Sequence, residues 1–111
     1  MNIWALKKDI TIKHLLLLLS DELGPATFVI ADPEGVDERA VRLCHADDDG
    51  IAAYVYTYGQ AAEHYGVHLE YPLLPDNAMN NLVEEYDDIG FDRLAAMLAA
   101  HFAVGPAGTT D

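Results

Sequence analysis

The 111-residue sequence predicts an α+β domain of two layers, a mainly antiparallel sheet of four strands, or five, with N-terminal and C-terminal helices on one face. Three observations predict it. A leucine-rich segment at 12–23 and an alanine-rich apolar stripe at 91–102 have helical spacing. Between them lie short β-branched and aromatic runs. Those runs are separated by turn chemistry, Asp32-Pro33-Glu34-Gly35 and Asp47-Asp48-Asp49-Gly50, so strands that follow one another in sequence are expected to neighbour one another.

Taken in order, residues 1–8 are apolar then basic, and Ile3 and Trp4 are expected to pack on the core as a short edge strand. Thr11 is a candidate N-cap for a helix over 12–23. Leu15, Leu16, Leu19 and Leu23 share one face of it, and Leu17 and Leu18 widen that face, which predicts a well-buried helix. Asp21 and Glu22 lie in its last turn, where the helix dipole disfavours them, and Gly24-Pro25 stops it. Strands follow at 26–31, 40–46, 51–58 and 67–71. Residues 60–65 read either as a hairpin loop or as one helical turn capped by Gly66. Met79, Leu82, Val83 and Tyr86 have the spacing of a helix, with a fifth strand over 82–86 as the alternative. Phe91, Leu94, Ala95, Leu98 and Phe102 form the stripe of the last helix. One domain over 1–104 and a disordered tail over 105–111 complete the expectation.

Composition narrows the function classes. Nineteen acids face six bases, a formal net charge of −13. The first fourteen residues hold all three lysines against one acid, and the remainder holds three arginines against eighteen acids. Such a field repels nucleic-acid phosphates and anionic lipid, so direct nucleic-acid binding is not expected, and it attracts a basic partner. The same acidity would also serve solubility or a salt-adapted host. No apolar run approaches the roughly 18 residues of a membrane span, so no membrane association is expected either. A single cysteine, Cys44, precludes an intrachain disulfide and favours a reducing, cytoplasmic setting.

No catalytic signature emerges, and no cofactor motif is present. His45, Asp47 and Asp49 are weak candidates for a cation site. Aligned on Gly50 as a calcium loop, however, position one falls on His45 and position twelve on Tyr56, and neither suits. Cys44 and His45 are adjacent and so point to opposite faces of a strand. A small enzyme or ligand-binding protein built on Cys44, His45, His68 and Glu70 in a cleft is the alternative reading.

The stretch 50–72 holds five of the six tyrosines. Tyr54, Tyr56 and Tyr58 alternate along one side of a strand whose other side carries Ile51, Ala53, Val55 and Thr57. With the aliphatic side toward the helices, the three tyrosines line the open sheet face, joined by His68 and Glu70. That set is the expected interaction surface, because tyrosine combines an apolar body with a polar tip. In size and charge alone, and in no motif, the chain is similar to bacterial toxin-neutralising immunity proteins and to inhibitors that mimic nucleic acid by negative charge. That similarity implies a protein-binding domain with a basic protein partner. A homodimer formed through the open sheet is the further alternative.

Overall fold

A computed structural model describes residues 3–24, 26–31, 36–48, 50–71 and 83–103. A short 3-10 turn, Ile3–Ala5, leads into α1, Ile10–Leu23. Five strands follow: β1 Phe28–Ile30, β2 Ala40–His45, β3 Ala52–Tyr56, β4 His64–Glu70 and β5 Val83–Gly90. Helix α2, Phe91–Ala103, closes the described chain. The strands lie in sequence order, β1-β2-β3-β4-β5, with every neighbouring pair antiparallel. The expected two-layer α+β architecture is thus present, with five strands.

Strand alternation decides which residues make the core. Phe28 of β1, Val41 and Leu43 of β2, Ala53 and Val55 of β3, Val67 and Leu69 of β4 and Ile89 of β5 all point to one side. Ile12, Leu15, Leu16 and Leu19 of α1 and Leu94, Ala95, Leu98 and Phe102 of α2 join them in one cluster, so both helices cover the same sheet face. The last-helix stripe is therefore as the spacing predicts. One residue was missing from it: His101 is also buried, and its Nε2 lies 2.8 Å from the Ala52 carbonyl, to which it donates. Its ring meets Tyr71 edge-on at 4.8 Å.

Helix α1 departs from expectation at both its start and its outer side. Its N-cap is Asp9 rather than Thr11: Asp9 is extended, and its carboxylate accepts from the Thr11 backbone N–H at 3.0 Å and from the Thr11 hydroxyl. Those bonds hold the Asp9 carboxyl below its ordinary value. A carboxylate is the better partner for the unpaired first-turn N–H groups, and the positive end of the helix dipole favours it. Asp9→Ala should lower stability, read from chemical denaturation, and by more than Thr11→Val does. Leu17 and Leu18 do not extend the buried face; both are exposed, as is Trp4, which lies in the 3-10 turn and not on an edge strand. Gly24 ends the helix at φ +94°, a conformation that glycine adopts without strain.

Residues 57–63 form a hairpin loop, with Gly59 and Glu63 at positive φ, and no helical turn. Strand β4 consequently begins at His64, so Gly66 lies inside a strand instead of capping a helix. Residues 83–90 are strand, which corrects the helical reading of Met79, Leu82, Val83 and Tyr86; Met79 and Leu82 lie outside the described residues. Ladder pairing with β4 overrides the local spacing there, as β assignments commonly depend on neighbours rather than on intrinsic preference. Strand β5 lies at one end of the strand order, and Glu84, Glu85, Asp87 and Asp88 charge it against pairing with a foreign strand. Its register with β4 shifts between Tyr65 and Val67, where Asp88 takes φ +56° and donates its N–H to the Gln60 side chain at 2.6 Å. The turn at 32–35, Asp49 and the tail at 105–111 lie outside the described residues.

Candidate functional site on the outer sheet face

The sheet face opposite the helices is organised by register. One row across it runs Arg42, Tyr54, His68, Glu85. The next runs Cys44, Ala52, Glu70, Val83. On the other side, Ala40, Tyr56 and Gly66 are aligned. The expected residues Tyr54, Tyr56, His68 and Glu70 therefore share this face. Tyr58 reaches it from the hairpin loop just past β3, not from the strand itself.

Glycine at 66 makes the arrangement possible. A Cβ there would lie 2.1 Å from Cζ of Tyr56, so the Tyr56 ring lies directly over the bare glycine backbone. Tyr56 is only 8% exposed although it is on the helix-free face. Its hydroxyl donates to Oδ1 of Asp87, and Tyr58 stacks on its ring at 4.7 Å. The Tyr54 ring lies 5.7 Å from both Tyr56 and His68, and His68 meets Tyr56 edge-on at 5.5 Å. The Tyr54 and Tyr58 hydroxyls are 3.1 Å apart and share a hydrogen bond. The result is a locked aromatic cluster whose most accessible member is Tyr58, 38% exposed.

Charge flanks the cluster unevenly. Arg42 reaches across β3 to pair with Glu70 at 2.8 Å, with both groups part-exposed. Glu85 and Asp87 on β5 are exposed. Arg42 and Asp87 were not expected in this site from the sequence, and Gly66 was read there only as a helix cap. Alternation placed Arg42 on this face, but Asp87 and Gly66 acquire their roles only from the pairing of β4 with its two neighbours.

Burial first, then the hydrogen bond to the Asp87 carboxylate, pushes Tyr56 up to about 12. On the opposite face, burial and a bond to Glu84 at 2.8 Å push Tyr71 up to about 12 as well. Burial and the Tyr58 bond also raise Tyr54. A phenol raised from its ordinary value of 10 contributes stability that is whole below pH 10 and is lost as pH rises through its folded value. Tyrosinate absorbance should therefore show part of the six tyrosines titrating late, near pH 12, with the denaturation midpoint falling as pH rises from about 10 to 12. Normal titration of all six would contradict the geometry.

The alternative set separates. Cys44 and Glu70 share a row on the outer face with Ala52 between them, whereas His45 points to the other face and accepts at Nδ1 from the Asp47 N–H. Cys44 is buried. A broad groove of about 1040 Å³ runs between α1, the hairpin loop and the start of α2, lined by His14, Arg39, His64 and Arg93 among others, and it includes none of Cys44, His45, His68 or Glu70. Among the described residues no three His, Cys, Asp or Glu side chains gather to hold a metal ion; Asp49 is not among those residues. No helix among them is long and apolar enough to cross a membrane. Comparison with known proteins finds no matching family model, no matching curated protein and no matching solved structure.

Proposed function

We propose that this chain is a small acidic protein-binding domain of inhibitor type, which docks a basic protein partner on the outer sheet face. The observation that carries the reading is the aromatic cluster of Tyr54, Tyr56, Tyr58 and His68, held rigid on the face without helices and bordered by Glu70, Glu85 and Asp87. Rigid tyrosines lose little conformational entropy on binding, so the contact area they offer converts efficiently to affinity. The net charge of −13 steers a basic partner toward the domain, and the exposed acids of β5 orient it at the face. Binding then consists of long-range attraction followed by aromatic docking, with no bond made or broken.

Affinity capture from the native host tests this, with the purified chain and a Tyr54→Ala/Tyr58→Ala variant run side by side at low and high salt. The expected result is a basic protein retained at low salt by the parent chain, weakened at high salt and lost by the folded variant. Capture indifferent to salt would remove the steering, and capture undiminished in the variant would remove the site.

A further inference from the structure

We infer that the chain pairs with a second copy of itself through the outward face of α1, the two helices running antiparallel across a two-fold axis. Helix α1 is apolar on both sides. Ile12, Leu15, Leu16 and Leu19 face the sheet and are fully buried. On the other side, Ile10, Leu17 and Asp21 recur at helical spacing and face outward, flanked by His14 and Leu18, which are exposed and also line the groove toward α2. Ile10 is 51% exposed, Leu17 36% and Leu18 49%, and Trp4 adds its ring at 54%, edge-on to His14 at 6.1 Å. Lys13 donates to the Trp4 carbonyl at 3.0 Å, which fixes the 3-10 turn against the helix, so the patch is preformed. The apolar middle of this outward face lies between a polar start and a polar end and is left without cover. An exposed apolar patch of this kind marks an interaction site.

Charge identifies the occupant. Lys7 and Lys8 precede α1 and Lys13 lies in its first turn, all the lysines of the chain against the N-cap acid Asp9, and its end carries Asp21 and Glu22. Among the described residues neither acid makes an ion pair, and both lie in the last turn, where the helix dipole disfavours them. An antiparallel second α1 resolves this at both ends at once. Each acidic end meets the net positive lysine end of the other copy, where Lys8 and Lys13 also hold the Asp37 and Trp4 carbonyls, while the leucines meet at the middle. A two-fold interface requires such self-complementarity of a single patch, and one helix, about 21 Å long, supplies both halves of it. An anionic bilayer would attract the lysines but repel Asp21 and Glu22 at the other end of the same face, whereas a second copy matches both ends; the net charge of −13 on each copy weakens the pairing at low salt. The small patch makes the pair a concentration-dependent dimer, not a permanent one. The sheet face opposite remains free for the partner proposed above.

Sedimentation velocity of the full chain over a concentration series is the test, with Leu17→Gln/Leu18→Gln, Asp21→Lys and Tyr58→Ala variants whose folding is checked by circular dichroism. The parent chain should show a monomer–dimer equilibrium. The leucine variant should stay monomeric at every concentration, Asp21→Lys should weaken pairing roughly fivefold, and Tyr58→Ala should leave it unchanged. A parent chain monomeric throughout would overturn the inference, as would a dimer that survives the leucine variant. A dimer lost in Tyr58→Ala would also overturn it, by moving the contact to the sheet.

Discussion

Leu16→Ala is expected to destabilise the fold by about 2–5 kcal/mol, whereas Leu17→Ala, one residue along, should change it by less than about 0.5 kcal/mol. The two leucines differ in nothing but direction. Leu16 is fully buried in the cluster shared by both helices and the inner sheet face, so truncation removes transfer energy and leaves a cavity between layers. Leu17 faces outward on the same helix. Alanine raises helix propensity slightly at both sites, so a loss at Leu16 reports packing and not helix formation. Equilibrium denaturation in urea, at concentrations too low for self-association, measures both. The lower end of the Leu16 range is already a large share of the roughly 5–15 kcal/mol that holds a domain together. Equal effects at the two positions would contradict the placement of α1.

Gly66→Ala should be among the most damaging substitutions on the outer face, at about 2–3 kcal/mol. The added Cβ would fall 2.1 Å from Tyr56 Cζ and 2.5 Å from its hydroxyl, so the ring must leave. The backbone does not require glycine at this position, since Gly66 has no positive φ. What is lost is what Tyr56 makes: a hydrogen bond to the charged Asp87, of about 1.5–3 kcal/mol, and aromatic contacts of about 0.5–1.5 kcal/mol with Tyr58, Tyr54 and His68, partly regained by the displaced ring in water. A double-mutant cycle isolates this cause. Tyr56→Ala alone should cost a similar amount, and Gly66→Ala added to it should cost little more, because the clash has already gone. Additive losses would show that glycine serves some purpose other than cradling the ring.

Much of this architecture was legible because alternation is a strong signal wherever one face is buried. Val41 and Leu43 against Arg42, and Ala53 and Val55 against Tyr54 and Tyr56, assign the two faces of β2 and β3 from the sequence alone. The leucine run was legible only in part. Five consecutive leucines carry no phase, so Leu17 and Leu18 could not be told from Leu16 and Leu19 until α1 was seated on the sheet. His101 could have been found: with Leu94, Ala95, Leu98 and Phe102 it completes the i, i+1, i+4, i+7, i+8 series of one helix face. Gly66 and Asp87 could not, because their contact with Tyr56 depends on strand pairings that bring together residues distant in sequence. Strand β5 was obscured for a related reason. Its acids suit an edge strand, yet its sparse apolar residues also fit helical spacing, and only pairing with β4 decides between them.

The affinity of a Tyr58→Ala variant for the basic partner proposed above tests the proposed docking face most directly. Tyr58 is the most exposed of the clustered tyrosines and lies outside the strands, so its removal leaves the sheet ladder intact. Calorimetric titration should show binding weakened by about 2 kcal/mol, roughly thirtyfold, with the fold unchanged. An affinity within about twofold of the parent chain would contradict a docking role for this face.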